Sequence, residues 1–220
     1  MSGRSVVLLK AASEDREQDK YLHALEKLGL SVTLVPVIVF NFVNRESLAS
    51  CLSRPHEYSG LIFTSKRSVE AVRDATAPNL THDWRDKPVY VVGGGTGQAV
   101  LSMLRLTNIR GEETGKAESL AEIIVTENGL GARKYLFPKG NLARDILPSV
   151  LSSNGIATEE IVSYQTEANP NLKILLSDIA IPEYVVIFSP SGASASLPIL
   201  KELYREAVSQ IKLIAMGQTT

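Results

Sequence analysis

Short apolar segments alternate with stretches of helical periodicity along almost the whole chain. Eight segments rich in Val, Ile and Leu are predicted to be strands: residues 6–9, 32–40, 61–63, 89–92, 135–137, 156–162, 184–188 and 211–215. Seven stretches between them are predicted to be helices: residues 18–28, 47–52, 68–76, 97–106, 119–128, 141–154 and 193–209. Strands that are apolar throughout are typical of a parallel sheet covered on both faces. The pattern therefore predicts an α/β fold with right-handed crossovers.

Two parts of the sequence are similar to each other. Leu61-Ile-Phe63-Thr-Ser aligns with Val186-Ile-Phe188-Ser-Pro, and in each a strand ends in Phe and leads through hydroxyl residues into a helix. Thirty residues after Phe63 comes Gly93-Gly-Gly-Thr96, and twenty-nine after Phe188 comes Gly217-Gln-Thr-Thr220. Two coincidences at nearly equal spacing favour two similar α/β units.

The two units cannot be consecutive halves, because neither end of the chain carries enough strands for a sheet. We therefore expect residues 1–36 and 168–220 to form one discontinuous domain, with residues 37–167 inserted as a second domain. Two extended connections, Pro36-Val-Ile-Val-Phe40 and Ser163-Tyr-Gln-Thr-Glu167, would link the domains. Since open α/β sheets bind ligands at the carboxyl ends of their strands, we expect a ligand cleft between the two sheets.

Several turns rich in hydrogen-bond donors follow predicted strands. They are Thr64-Ser65, Gly93-Gly-Gly-Thr96, Pro138-Lys-Gly-Asn141, Ser189-Pro-Ser-Gly192 and Gly217-Gln-Thr-Thr220. The glycine cluster lacks the spacing of a dinucleotide fingerprint, and a tight turn with positive φ is the simpler interpretation. N-capping explains any one of these turns taken alone. Together they suit a large, multiply anionic ligand, with positive charge expected from Lys10, Lys66, Arg67, Lys139 and Arg144.

Composition narrows the class of protein. A hydrophobic fraction of 44% and a charged fraction of 21% exclude a disordered or fibrous chain. Twenty-three basic and 24 acidic residues leave a net charge of −1, which argues against a dedicated binder of nucleic acid or of membrane surfaces. The single cysteine, Cys51, forms no internal disulfide, so we expect a reducing, cytosolic location without a signal peptide or membrane span.

No side-chain constellation for catalysis by a metal or an activated nucleophile is apparent. His23, His56 and His82 have no metal-ligand spacing, and no histidine is placed to activate Cys51. Glu159-Glu160 is expected to be solvated charge, and Trp84 to cover a loop. The residues alone are compatible with two classes of protein: an enzyme without a cofactor, and a two-lobed binding protein that captures an anionic metabolite.

Several short motifs, in this order and spacing, resemble the uroporphyrinogen-III synthase family of the animal type. The motifs are Leu61-Ile-Phe-Thr-Ser-x-Arg67-x-Val-Glu-Ala71, Val89-Tyr-Val-Val-Gly93, Leu136-Phe-Pro-x-Gly-Asn-Leu142, Tyr164-Gln-Thr166 and Phe188-Ser-Pro-Ser-Gly192. The resemblance implies two flavodoxin-like domains on a two-stranded linker. It also implies closure of hydroxymethylbilane to uroporphyrinogen III, with inversion of ring D and loss of water, by a monomer without metal or organic cofactor.

This resemblance gives roles to individual residues. The substrate would carry eight carboxylates and react through an azafulvene and a spiro intermediate, so the main task of the enzyme would be positioning. Tyr164 is the catalytic candidate, because a phenol with a reference pKa of about 10 stays protonated and could hydrogen-bond the departing hydroxyl; a packing role is the alternative. The implied substrate-binding positions are Thr64, Ser65, Arg67, Thr96, Ser189, Lys212, Thr219 and Thr220.

This sequence departs from the family pattern in two places. The two Gly-x-x-Thr turns keep their glycine and threonine but differ from the family between them. The family fold implies a further helix, strand and terminal helix after Thr220. We therefore expect these 220 residues to be a shortened form with reduced stability and low activity.

Overall fold

A computed structural model describes residues 4–11, 19–76, 80, 82–128 and 133–217 of the chain. The regular elements of these residues are β1 (Ser5–Lys10), α1 (Lys20–Glu26), β2 (Ser31–Pro36), β3 (Ile38–Phe42), α2 (Arg45–Leu52), β4 (Tyr58–Phe63), α3 (Lys66–Ala75), β5 (Val89–Val91), α4 (Gly94–Ala99), β6 (Ile109–Arg110), α5 (Ala117–Glu127), β7 (Lys134–Gly140), α6 (Ile146–Ser153), β8 (Thr158–Ala168), α7 (Leu172–Ser177), β9 (Tyr184–Ile187), α8 (Pro190–Tyr204) and β10 (Lys212–Ala215). A π-helical turn, Val100–Leu104, continues α4. None of the helices in these residues is both long and apolar enough to cross a membrane.

The chain forms two compact units. Unit 1 consists of Met1–Phe40 and Glu167–Thr220, and unit 2 consists of Asn41–Thr166. The chain passes from one unit to the other within β3 and again within β8. The domain bounds expected from the sequence, 1–36 with 168–220 and 37–167, stay a prediction.

Two sheets run through these units. The first has the strand order β10-β9-β1-β2, and all its neighbours are parallel. The second has the order β3-β8-β7-β4-β5-β6, and its neighbours from β8 to β6 are parallel. The predicted α/β class with parallel sheets is confirmed.

The central strands are apolar throughout because both of their faces are covered. In β4, Leu61 and Phe63 pack with Val69 of α3, whereas Ile62 between them packs with Leu120 of α5 on the other face. All of these side chains are fully buried. Burial of one such side chain contributes about 1.5–3 kcal/mol. The same layering recurs in unit 1, where Leu9 packs with Leu200 of α8 and Leu8 lies on the opposite face.

The internal repeat is present, but its alignment shifts by one residue. The sequence places Phe63 opposite Phe188, whereas β4 ends at Phe63 and β9 ends at Ile187. Phe63 and Ile187 both lie on the face that packs against the helix that follows the strand, and Phe188 lies on the other face. Since neighbouring strand residues point to opposite faces, the residue equivalent to Phe63 is Ile187 and not Phe188.

A few elements differ from the sequence prediction. The predicted strand 32–40 is two strands, β2 and β3, separated at Val37, and the predicted helix 141–154 begins only at Ile146. The strand β6 and the helix α7 were not predicted, since two residues and six residues are too short for a clear period. The edge strand β10 is exposed along its length, including Leu213 and Ile214.

Candidate functional site

The carboxyl edge of the second sheet collects the turns that the sequence singled out. Strand β4 ends at Phe63 and is followed by Thr64-Ser65, and β5 ends at Val91 just before the Gly93 turn. Because β8, β7, β4 and β5 are parallel neighbours, the residues after them meet at one edge. Tyr164 pairs with Gly140, the last residue of β7, and so lies at the same edge.

Tyr164 and Ser65 are in direct contact there, although 99 residues separate them in the sequence. The Tyr164 hydroxyl and Ser65 Oγ share a hydrogen bond of 3.0 Å. Ser65 is the N-cap of α3, and its Oγ also accepts a hydrogen bond of 3.3 Å from the backbone N–H of Ser68. The cap fixes the position of the Ser65 hydroxyl, which in turn holds the phenol of Tyr164 at the end of β4.

The backbone around Tyr164 is held as well. The N–H of Asn141 donates to the carbonyl oxygen of Tyr164 at 3.1 Å, and the Asn141 side-chain oxygen accepts from the N–H of Thr166 at 2.9 Å. Asn141 therefore connects the end of β7 to β8 at Tyr164 itself and at Thr166, two residues later.

A cavity of 250 Å³ opens beside Thr64. Its charged lining residues are Lys116, which precedes α5, Glu118 in the first turn of α5, and Arg144, which lies before α6. Within the part of the chain that the structure describes, Lys116 and Arg144 form neither an ion pair nor a side-chain hydrogen bond. Two cations against one carboxylate leave an excess of positive charge, which suits a carboxylate group of a ligand.

Two of the cations expected to serve this edge, Lys139 and Arg67, already face carboxylates. Lys139 contacts Asp145 at 3.1 Å and Glu160 at 2.5 Å. Burial disfavours its charge, but these two hydrogen bonds outweigh burial and raise the pKa of Lys139. Arg67 Nη1 lies 2.7 Å from Glu70. At the cavity beside Thr64 the basic lining residues are Arg144, which the sequence singled out, and Lys116, which it did not. Sequence reasoning missed Lys116 because an isolated lysine in a turn has no distinguishing pattern.

A larger cavity of 500 Å³ in unit 2 has the opposite character. Glu113, Glu122 and Glu127 line it, together with Thr114 and Ile123, and none of its lining residues in the described part of the chain is basic. Such a lining repels an anion. The smaller cavity beside Thr64 is therefore the better candidate for an anionic ligand.

The glycine turn before α4 is also part of this edge. Gly93 has φ 79°, which confirms the interpretation as a tight turn that requires positive φ. Thr96 lies in α4 and is only 7% exposed. Its placement suits a residue that shapes the edge more than one that meets a ligand directly.

The remaining binding candidates belong to unit 1. Ser189 is the N-cap of α8, where its Oγ accepts from the N–H of Gly192 at 3.1 Å. Lys212 is the first residue of β10 and donates to Glu183 at 3.3 Å, so it lies at the amino edge of the first sheet, opposite the edge of Ser189. The structure does not bring these two residues together. Thr219 and Thr220 lie outside the described residues.

Lys10 of unit 1, also expected to supply charge, is paired. Its Nζ lies 2.5 Å from the carboxylate of Asp19, the N-cap of α1. Burial disfavours the charge of Asp19, but the hydrogen bonds from Lys10 and from the N–H groups of Leu22 and Tyr21 hold the pKa of Asp19 below its ordinary value. Lys10 therefore serves the structure of unit 1.

A second polar cluster lies at the amino edge of the second sheet. Glu159 accepts hydrogen bonds from Tyr58 Oη at 2.8 Å and Cys51 Sγ at 3.3 Å, and Lys134 Nζ lies 2.6 Å away. The expectation that Glu159 is solvated is wrong. The hydrogen bond from Lys134 is the main cause that lowers the pKa of Glu159 to about 2. The cluster is far from the carboxyl edge and ties β4, β7 and β8 together.

The family described as uroporphyrinogen-III synthase HemD matches residues 19–220. The chain belongs to this family. The resemblance found from the sequence motifs is thereby confirmed. Uroporphyrinogen-III synthase from Saccharomyces cerevisiae is 30% identical over 177 residues, which cover 73% of this chain and 64% of that protein. Uroporphyrinogen-III synthase from Schizosaccharomyces pombe is 25% identical over 230 residues, which cover 99% of this chain and 85% of that protein.

Solved structures of the uroporphyrinogen-III synthase family have the same fold. The Helicobacter pylori protein has a TM-score of 0.61 at 16% identity, over 97% of this chain and 84% of that chain. A mutant Thermus thermophilus protein has a TM-score of 0.57 at 14% identity, over 99% and 86% of the two chains. At such identity these matches show the fold alone.

Proposed function

We propose that this chain is a uroporphyrinogen-III synthase, a hydro-lyase that closes hydroxymethylbilane to uroporphyrinogen III with inversion of ring D. Family membership supports the proposal. The structural observation that carries it is the hydrogen bond between Tyr164 and Ser65 at the carboxyl edge of the second sheet. This is the edge at which open α/β sheets bind their ligands.

Tyr164 would act on the departing hydroxyl of the substrate. Its phenol hydroxyl can donate a hydrogen bond to the oxygen as the carbon–oxygen bond breaks. That oxygen leaves as water with the proton that the adjoining pyrrole N–H gives up, and an azafulvene remains. The substituted carbon of ring D then attacks the azafulvene carbon to form a spiro intermediate. Ser65 keeps the phenol in place and contributes positioning to the catalysis.

The cavity beside Thr64 would hold one of the acidic side chains of the substrate. Lys116 and Arg144 supply two positive charges there, and Glu118 offsets one of them. The volume of 250 Å³ is several times the roughly 30 Å³ that one water molecule occupies in the liquid, so a carboxylate-bearing side chain fits. The binding roles of Thr64, Ser65, Arg67, Thr96, Ser189, Lys212, Thr219 and Thr220 remain part of this proposal.

The proposal also covers the cofactor requirement, the oligomeric state and the cellular location of the enzyme. Following the resemblance to the family, we propose that the cyclisation proceeds without a metal or organic cofactor; because the reaction is redox-neutral, it needs no oxidant or reductant. We further propose a cytosolic monomer, for which the resemblance to the family and the single buried Cys51 are the support. Light scattering during size-exclusion chromatography tests the monomer, and fractionation of the source cells tests the location.

The decisive experiment supplies freshly generated hydroxymethylbilane and separates the uroporphyrinogen isomers. The type III isomer should increase with enzyme concentration at the expense of the type I isomer, which forms spontaneously. Type I alone at every enzyme concentration would contradict the proposal. A binding protein for an anionic metabolite would bind the substrate without turnover; the comparisons with known proteins do not favour that alternative.

A further inference from the structure

The pairing between β7 and β8 is irregular at the candidate catalytic residue. Lys139 pairs with Val162, but the next residue, Gly140, pairs with Tyr164, so Ser163 is an extra residue in β8. The side chain of Ser163 is fully buried, and its Oγ donates to the carbonyl oxygen of Lys139 at 3.3 Å. An extra residue of this kind bends a strand and changes the direction of the following side chain. Here it brings Tyr164 directly across from Gly140.

The ring of Tyr164 occupies the space that a side chain at residue 140 would need. A Cβ atom added to Gly140 would lie 2.6 Å from Tyr164 Cζ, 2.7 Å from its hydroxyl oxygen and 2.9 Å from Cε2. Ordinary van der Waals contact between such atoms begins at about 3.5 Å. Gly140 is not among the glycines with positive φ, so its backbone does not itself require glycine. The three atoms nearest to such a Cβ all belong to Tyr164, so the Tyr164 ring is the main reason that residue 140 must be glycine.

We infer that Gly140 is a positioning residue: its missing side chain lets the Tyr164 ring lie over residue 140 of β7, so that the hydroxyl reaches Ser65. Three features of the structure determine where the Tyr164 ring lies. The bulge sets its direction, Gly140 supplies the space beneath it, and Ser65 Oγ receives its hydroxyl at 3.0 Å. A role for Gly140 in turnover rests on the proposed function, whereas its effect on the position of Tyr164 does not.

The first test follows Tyr164 directly and needs no substrate. Tyrosine labelled with ¹³C at Cζ gives one signal for each of the seven tyrosines, and the Tyr164 signal is the one lost in Tyr164→Phe. Gly140→Ala should shift this signal toward its position in Ser65→Ala, where the hydrogen bond is absent. Gly115→Ala is the matched control, because a Cβ there meets nothing within 4 Å. A Tyr164 signal at its wild-type position in Gly140→Ala would overturn the inference.

The second test measures kcat and KM for hydroxymethylbilane. Gly140→Ala should lower kcat by about 10- to 100-fold, as displacement of a catalytic group by about 1 Å does, with KM within about twofold of wild type. In the Tyr164→Ala background, where the ring is gone, Gly140→Ala should cause no further loss. Equal loss of kcat in both backgrounds would mean a role apart from Tyr164 and would overturn the inference.

Two further outcomes are distinguishable. If Gly140→Ala alone does not fold, the double variant with Tyr164→Ala should recover folding, because the clash is removed; failure of both to fold would overturn the inference. If the wild-type protein yields only the type I isomer, the proposed function fails, and the NMR signal of Tyr164 still decides whether Gly140 positions the ring.

Discussion

Ser65 and Ser189 begin the helices after β4 and β9 with nearly the same backbone conformation, φ −154° and ψ 150° at Ser65 and φ −154° and ψ 153° at Ser189. Each Oγ accepts a hydrogen bond from the N–H three residues later, Ser68 or Gly192. The two units thus repeat one local structure. The two units differ in a further hydrogen-bond partner of the serine hydroxyl: Ser65 also contacts Tyr164, whereas Ser189 contacts Ser191.

Substitutions at Ser65 should separate capping from catalysis. Replacement of an N-cap Ser by Ala costs about 1 kcal/mol, whereas replacement by Gly costs only a few tenths. Ser65→Ala should therefore lower the free energy of unfolding by about 1 kcal/mol and Ser65→Gly by much less. Both should lower kcat by the same factor, about tenfold, because both remove the partner of the Tyr164 hydroxyl. Urea unfolding and initial rates with hydroxymethylbilane measure the two effects.

Ser189→Ala provides the matched measure of capping. Its loss in unfolding free energy should equal the capping part of the loss in Ser65→Ala, since the two caps share their geometry and only Ser65 also contacts Tyr164. If kcat followed stability across Ser65→Ala and Ser65→Gly, the serine would act as a cap alone.

Tyr164→Phe should lower turnover more than stability. The ring and its packing over Gly140 are kept, and only the hydroxyl and its hydrogen bond to Ser65 are lost. We expect kcat to fall at least about tenfold while the unfolding free energy changes by about 1 kcal/mol or less. Rates with fresh substrate and urea unfolding of the same preparation provide the comparison. Unaltered kcat in a folded Tyr164→Phe protein would leave Tyr164 with a packing role only.

The sequence predicts the layers of this fold well because burial on both faces has a direct signature. Leu61, Ile62 and Phe63 are all apolar, and all three are buried, on alternating faces of β4. Trp84 shows where this reasoning fails. Because it stands between charged residues, the sequence predicts that it covers a loop. Instead, Trp84 is fully buried, stacks on Tyr58 and donates a hydrogen bond to the carbonyl oxygen of Leu52. The partners of a residue in irregular structure leave no periodic pattern in the sequence.

The sequence indicates which residues belong to the candidate site, but it does not indicate which of them are in contact. Tyr164 and Ser65 were both identified by family resemblance, but their hydrogen bond depends on one extra residue in β8, which no local pattern indicates. The same limit applies to charge. Lys139 follows a predicted strand, as an anion-binding lysine would, and only the fold shows that Glu160 and Asp145 already face it.

Acid stability should depend on Glu159. Hydrogen bonding, first of all from Lys134, lowers its pKa from 4.5 to about 2 in the folded protein. A lowered folded pKa stabilises the protein above the unfolded pKa, and this contribution is lost as the pH falls from about 4.5 to about 2. Glu159→Gln should therefore lose less stability than wild type across this interval. Urea unfolding at several pH values measures the difference.

Tyr58→Phe is the companion variant for Glu159. It removes one of the hydrogen bonds that hold the Glu159 carboxylate, so the pKa of Glu159 should rise toward its ordinary value. Titration of the Glu159 carboxyl signal by NMR reads this directly. An acid dependence in Glu159→Gln that equals that of wild type would assign the loss of stability to other groups.

The charges of the cavity beside Thr64 should control substrate affinity in a predictable direction. Lys116→Met and Arg144→Met each remove one positive charge and should raise KM by up to about fivefold, the range of exposed ion pairs. Glu118→Gln removes the opposing charge and should lower KM.

For wild type, KM should rise with salt, since the screening length falls from about 10 Å at 0.1 M to about 3 Å at 1 M. The double variant Lys116→Met/Arg144→Met should show a weaker dependence on salt. Arg73→Met, which removes one charge from a separate cavity, is the control and should keep the wild-type salt dependence. A KM indifferent to salt in wild type, or a double variant as salt-dependent as wild type, would show that this cavity does not hold a substrate carboxylate.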